Sequence, residues 1–135
     1  MTSYKKVKCI RCGTLKMQPL SSHGKYCSNK CQALDKIDSA VSVWLAGNDD
    51  GWTGKNVKLK TFIRRYLLEN RGAFCESCGW DKTHPSDGRP LVEIDHIDGN
   101  AKNNRPENLR ILCPNCHSMT PTFRRRNVKS ERVRK

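Results

Sequence analysis

Ile94–His117, with the sequence IDHIDGNAKNNRPENLRILCPNCH, is the most informative part of this chain. It opens with an acidic residue and a histidine, Asp95 and His96, and closes with His117 directly behind a C-x-x-C pair. Asn108 lies between them. A carboxylate and an imidazole can hold a divalent ion, while a second imidazole beside that ion can take a proton from water. The stretch therefore predicts a metal-assisted hydrolytic site.

The residues around these side chains predict the order strand, loop, strand, helix. Apolar and polar residues alternate over 91–96, which is typical of a half-buried strand. Residues 98–100, Asp-Gly-Asn, form a turn signal, and 109–112 make a second short strand. We expect a short helix to begin at Cys116 or His117.

Eight cysteines form two quartets of closely spaced pairs and predict two structural zinc sites. Two sulfurs separated by two or three residues can both turn onto one tetrahedral Zn²⁺. The alternative is the disulfide scaffold of a secreted protein, but residues 1–10 are polar and basic and lack the apolar core of a signal peptide. We therefore expect a thiol-reduced protein of the cytoplasm (the host cytoplasm for a phage protein). The predicted ligands are Cys9, Cys12, Cys27 and Cys31 for one zinc, and Cys75, Cys78, Cys113 and Cys116 for the other.

Two other interpretations compete for the end of the motif. Residues 113–117, CPNCH, match the C-x-x-C-H signature of covalent haem attachment. Haem would leave Cys75 and Cys78 without a role, whereas two zinc ions account for all eight cysteines. His117 could also replace a cysteine as a zinc ligand, because it directly follows Cys116.

The formal net charge is +13, and most of the cationic charge flanks the predicted metal site. Residues 1–31 contain seven Lys or Arg and no acid, and residues 118–135 contain seven with one acid, whereas 75–117 contain five with seven acids. Such flanks suit a module that grips phosphates around a central ion. The alternative is a solvated basic surface or a disordered basic tail. No amphipathic helix rich in interfacial aromatics suggests a membrane partner.

Together these features predict a small, zinc-stabilised α+β protein. A helix is predicted to begin at the second cysteine pair of the first quartet, and its apolar stripe ends at Trp44 and Leu45. Another amphipathic helix is predicted over about 56–70. The first quartet and its helix are similar to treble-clef zinc fingers. The predicted domains are an N-terminal finger and helix over 1–46, a linker over 47–54, a metal-dependent domain over 55–123 and a basic tail over 124–135.

Residues 74–123 resemble the HNH endonuclease family, especially the members encoded by phages and mobile introns, which include homing endonucleases. The resemblance lies in the Asp-His pair, the later asparagine and histidine, and the framing cysteines. Members of this family have a ββα-metal fold, in which two antiparallel strands and a helix grip one catalytic divalent ion. Many of them reinforce it with a zinc held by two C-x-x-C pairs.

The resemblance implies roles for individual residues. His96 would be the general base, and Asn108 would hydrogen-bond across the loop and orient it. Asp95 and His117 would bind the catalytic ion, Mg²⁺ in the cell, with Mn²⁺ or Ni²⁺ as substitutes in vitro. Some members have a further ligand four residues after the final histidine, where this chain has Pro121, so we expect only two protein ligands.

Two functions are consistent with these features. The first is a metal-dependent DNA endonuclease that nicks or cuts duplex DNA, and the second is a non-catalytic zinc-finger protein with a vestigial motif that binds nucleic acid or recruits a partner. The N-terminal finger would contact DNA or recruit phage packaging proteins. The sequence contains no signal for the oligomeric state or the target site. The predicted DNA contacts are Lys58, Lys60, Arg64, Arg65, Arg124, Arg125 and Arg126.

Overall fold

The computed structural model describes residues 3–54 and 58–124. The chain divides into two compact units, Met1–Ser42 and Val43–Lys135. Each unit contains a two-stranded antiparallel sheet and a cluster of four cysteines. The prediction of a small α+β protein with two sites suited to zinc is therefore confirmed.

The first unit is a β-hairpin followed by a helix. Strands β1 (Tyr4–Lys8) and β2 (Leu15–Pro19) pair antiparallel, and the first cysteine pair occupies the turn between them. Gly13 closes this turn with a φ of 74° and donates its N–H to the carbonyl of Cys9. Helix α1 (Asn29–Leu45) begins at the second pair, where Ser28 Oγ accepts a hydrogen bond from the backbone N–H of Cys31. Ser28 therefore caps the helix, as the sequence suggests.

The second unit contains the predicted strand, loop, strand and helix. Helix α2 (Thr61–Arg71) comes first, and residues 55–57, where we expected it to start, lie outside the described residues. Strands β3 (Glu93–His96) and β4 (Leu109–Leu112) pair antiparallel, with a 3₁₀ turn at Pro106–Asn108 before β4. Helix α3 spans Pro114–Ser118.

Helix α3 begins earlier than the predicted start at Cys116 or His117. Cys113 Sγ caps it by accepting the N–H of Cys116, and Pro114 supplies the first helical residue. Proline suits this position because its missing N–H would have no partner within the helix. The predicted start was too late because the residues of the C-x-x-C pair themselves form the cap and first turn of the helix.

A small core joins the elements of the second unit. Trp44, at the end of α1, packs edge-on against Tyr66 with ring centroids 5.6 Å apart. Two arginines of α2 add hydrogen bonds to backbone carbonyls. Arg64 donates to those of Pro90 and Val92. Arg71 donates to those of Pro106 and Leu109. The buried core residues are Trp44, Ile63, Leu67, Val92, Leu109 and Ile111.

The segment 47–54, predicted to be a linker, lies within this second unit. Asp49 pairs with Lys60 at 2.6 Å, and this ammonium lowers the pKa of the Asp49 carboxyl. Gly51 is buried with a φ of 75°. A Cβ at this position would lie 2.5 Å from Ile63 Cδ1, so the segment packs against the core at a point where no side chain fits. The functional domain boundaries stay a prediction.

We expect Gly51→Ala to destabilise the second unit by about 1–3 kcal/mol more than Gly88→Ala does, because it overpacks the core. Gly88 is a matched control, since its φ is 70° and no atom lies within 4 Å of a Cβ placed there. Urea unfolding of the two variants measures the difference. Equal destabilisation would show that backbone conformation alone requires glycine at position 51.

Candidate functional site

Each cysteine quartet has the dimensions of a zinc site. The four Sγ atoms of each cluster lie within 4.8 Å of one another, and all eight thiols are free. The sulfurs of Cys12 and Cys27 are 3.5 Å apart, and those of Cys78 and Cys113 are 3.7 Å apart. Tetrahedral Zn²⁺ with bonds of about 2.3 Å would place its sulfurs about 3.8 Å apart, so both quartets fit this ion.

Neighbouring groups lower the pKa of some thiols in the quartets and raise the pKa of others. Backbone N–H groups, above all that of Cys12, lower the pKa of the Cys9 thiol to about 6. The neighbouring thiol of Cys31 raises the pKa of Cys27 to about 12, and that of Cys113 raises the pKa of Cys116 to about 12. Four thiolates this close together would repel one another, and a bound dication would supply the compensating charge.

Helix α3 turns adjacent residues toward two different sites. Successive helical side chains point about 100° apart, so Cys116 can face the sulfur cluster while His117 faces strand β3. His117 Nε2 lies 3.5 Å from Asp95 Oδ1, and its Nδ1 lies 2.5 Å from Glu93 Oε2. Both nitrogens thus face carboxylates, which argues against His117 as a zinc ligand.

The spacing between Asp95 and His117 suits a divalent ion. Two ligands about 2.1 Å from one ion at a right angle would lie about 3.0 Å apart, so a shift of about half an ångström accommodates it. Asp95 is buried, and its Oδ2 accepts a 2.7 Å hydrogen bond from Arg110 Nε, which lies opposite it on β4. Arg110 therefore occupies one carboxylate oxygen, and the other, Oδ1, faces His117.

His96, at the end of β3, is held by a buried amide. Its Nε2 lies 2.6 Å from Asn104 Oδ1, and Asn104 is 2% exposed. Asn104 Nδ2 donates to the carbonyl of Asp50, so its Oδ1 must be the atom that faces the ring. An amide oxygen only accepts, and Nε2 therefore carries the hydrogen. The free lone pair of a neutral His96 ring is on Nδ1.

A comparison with known families bears directly on this arrangement. A sequence model of the HNH endonuclease family matches residues 85–119, which include β3, β4 and α3. We call residues 85–119, which this model matches, the HNH segment. The H-N-H endonuclease F-TflIV of Escherichia phage T5 is 48% identical over 58 residues, which cover 40% of this chain and 23% of the relative. No solved structure matches.

Asn108 of the HNH segment hydrogen-bonds across the loop that follows β3. Its Nδ2 donates to Asp98 Oδ1 and to the carbonyl of Asn103, while its Oδ1 accepts the N–H of Asp98. Bonds from Asn103, Asn100 and Asn108 lower the pKa of the Asp98 carboxyl. The His96 ring is contacted by Asn104. Asn108 instead hydrogen-bonds to residues of the loop that follows β3.

Three residues of the HNH segment had no role in the sequence analysis. Glu93 shares a face of β3 with Asp95, a signal that the two-residue period of a strand contains. Arg110 is opposite Asp95 only because of the strand register, which the sequence does not specify. Asn104 contacts His96 because of the loop's conformation, which the sequence does not specify either.

The predicted DNA contacts differ in how freely their side chains could reach a phosphate. Lys58 is exposed, and Arg65 pairs with Glu69 on the surface of α2. Lys60 and Arg64 are engaged by Asp49 and by backbone carbonyls, as described above. The guanidinium of Arg124 stacks on Phe123, with its carbon 5.1 Å from the ring centre. Arg125 and Arg126 lie outside the described residues, and across the described ranges no helix has the length and hydropathy to span a membrane.

We expect Cys113→Ser to reduce bound zinc from two ions to one and to abolish divalent-ion binding at Asp95, because Cys113 both belongs to the second quartet and caps α3. Cys12→Ser is the control, since it removes a ligand of the first quartet. Elemental analysis counts zinc, and Mn²⁺ titration measures the second effect. Retention of Mn²⁺ binding in Cys113→Ser would show that α3 holds its position without that quartet.

Proposed function

We propose that this chain is a metal-dependent DNA endonuclease that hydrolyses phosphodiester bonds. The observation that carries the proposal is that Asp95 and His117 lie close together on one side of the β3–β4 pair. His96, the residue after Asp95, is held by Asn104. The HNH match over these residues supports it. The name of the phage relative, an H-N-H endonuclease, agrees with this class of reaction.

Asp95 and His117 would hold the catalytic ion. The carboxylate oxygen suits hard ions such as Mg²⁺ or Mn²⁺, whereas the sulfur quartets suit Zn²⁺, so the two kinds of site would favour different ions. The ion would supply positive charge that stabilises the phosphate in the transition state and the departing oxygen. Arg110 would hold Asp95 in this orientation, because its guanidinium donates a charge-assisted hydrogen bond to Oδ2.

His96 would act as the general base through Nδ1. Asn104 occupies Nε2, so the proton of the attacking water can only go to the other nitrogen of a neutral ring. Asn104 is anchored in turn by the Asp50 carbonyl and by Trp44, whose Nε1 donates to the Asn104 carbonyl at 2.7 Å. The base is therefore held by the core rather than by a mobile surface group.

DNA would reach this base along a polar groove. The groove is lined by 47–50 and 102–105 together with Lys60, and it includes Asn104. Lys102 contributes an exposed ammonium that lies 5.6 Å from the centre of the Trp52 ring. Cationic side chains along such a groove would bind phosphates and make affinity fall with added salt. Contacts from the N-terminal unit, or its recruitment of phage packaging proteins, stay predictions.

We expect His96→Ala to lower the rate of DNA cleavage by about 100-fold or more while leaving DNA affinity unchanged, because the variant lacks the proton acceptor but no phosphate contact. Conversion of supercoiled plasmid to nicked or linear DNA, with Mg²⁺ or Mn²⁺, measures the rate. Fluorescence anisotropy of a labelled duplex measures affinity. His84→Ala, on an exposed loop, is the matched control and should cleave at the wild-type rate.

Cleavage by His96→Ala at the wild-type rate would rule out its role as the base. A wild-type protein that binds the duplex but converts no plasmid with either ion would instead support the non-catalytic alternative. In that protein the zinc units would be a nucleic-acid or partner-binding scaffold.

A further inference from the structure

The carboxylate of Glu93 contacts the far side of the proposed metal-binding histidine. Glu93 and Asp95 are two residues apart on β3, so both side chains leave the same face of the strand. His117 lies against this face, with Nδ1 2.5 Å from Glu93 Oε2 and Nε2 3.5 Å from Asp95 Oδ1. The imidazole therefore lies between two carboxylates, one at each nitrogen.

These contacts determine which nitrogen of His117 carries a hydrogen. An ionised carboxylate only accepts, so the short contact with Glu93 requires an N–H at Nδ1. A neutral imidazole has a single N–H, and Nε2 is then left with the lone pair. Nε2 is the atom beside Asp95 Oδ1, where the ion would be bound.

The position of Glu93 is explained by its contact with the His117 ring. Across 3–54 and 58–124, His117 is the only basic side chain within salt-bridge distance of its carboxylate. Glu93 lies opposite Leu112 in the strand pair, and half of its side chain is exposed. The His117 ring also packs edge-on against Phe123, with centroids 5.0 Å apart and planes at 82°. Phe123 therefore packs against the ring, while Glu93 contacts its Nδ1.

We propose that Glu93 is a positioning residue that holds His117 as the Nδ1–H tautomer and so presents Nε2 to the catalytic ion; this inference rests on the proposed function. Carboxylates that accept the second N–H of a metal-bound histidine orient the ring and make it a better donor. Removing such a partner typically weakens metal affinity about 10–100-fold. Glu93 would act through His117 and need not touch the ion or the DNA.

The test compares Glu93→Gln with Glu93→Ala in the full chain loaded with zinc. Mn²⁺ is the probe, and its affinity is measured by electron paramagnetic resonance titration. We expect Glu93→Ala to bind Mn²⁺ about 10–100-fold more weakly than wild type. Glu93→Gln keeps an amide oxygen that can accept from Nδ1, so it should recover most of the lost affinity. Glu69→Gln, an exposed carboxylate on α2, controls for the loss of one negative charge.

A spectroscopic measurement needs no variant. Long-range ¹H–¹⁵N correlation spectra report the tautomer of His117, and we expect the Nδ1–H form in wild type and a mixture of both forms in Glu93→Ala. An Nε2–H ring in wild type would overturn the inference. Equal weakening of Mn²⁺ binding in the Gln and Ala variants would also overturn it, because charge alone would then explain the effect.

The failure of this inference is distinguishable from the failure of the proposed function. Wild-type protein that cleaves DNA, with unchanged Mn²⁺ affinity in Glu93→Ala, would contradict only the role of Glu93. If the wild-type protein does not cleave DNA, and Asp95→Ala binds Mn²⁺ as tightly as the wild type, both the role of Glu93 and the proposed function are contradicted.

Discussion

The gathering of four thiols at the second quartet is the constraint on which the proposed site depends. Cys113 caps α3 and Cys116 lies in its first turn, so the sulfur cluster determines where the next residue, His117, is placed. Within the described part of the chain, the hydrophobic core beside it contains six buried side chains. A core of this size stabilises a small domain weakly, and a metal cross-link can supply what is missing. The predicted zinc site thus positions His117, the proposed ligand of the catalytic ion.

The proposed general base depends on the core in a different way. The backbone carbonyl of Asn104 accepts a hydrogen bond from the buried Trp44 indole. The side-chain oxygen of Asn104 contacts the His96 ring and holds it in place. Gly51 allows this arrangement, because a side chain there would collide with Ile63. The two imidazoles of the HNH segment are therefore held by separate supports, one made of sulfur ligands and the other of packed apolar groups.

The sequence predicted the parts of this protein whose signals are local in the chain. Cysteine spacing predicted both quartets, alternation predicted β3, and the Asp-His pair with its distant histidine predicted the HNH segment, which the family comparison confirms. Contacts that depend on register or loop conformation were not predictable, such as Arg110 opposite Asp95 and Asn104 beside His96. Residues 47–54 were predicted to be a linker because they are rich in glycine. Glycine is favoured both in flexible turns and where the backbone lies close to the core, so this signal did not separate the two cases.

The most direct test of the account is anomalous diffraction from crystals of the zinc-loaded protein soaked in Mn²⁺. We expect a manganese peak about 2.1 Å from both Asp95 Oδ1 and His117 Nε2, and zinc peaks at the two sulfur quartets. A zinc ion bound by His117, or manganese bound only away from Asp95, would contradict it.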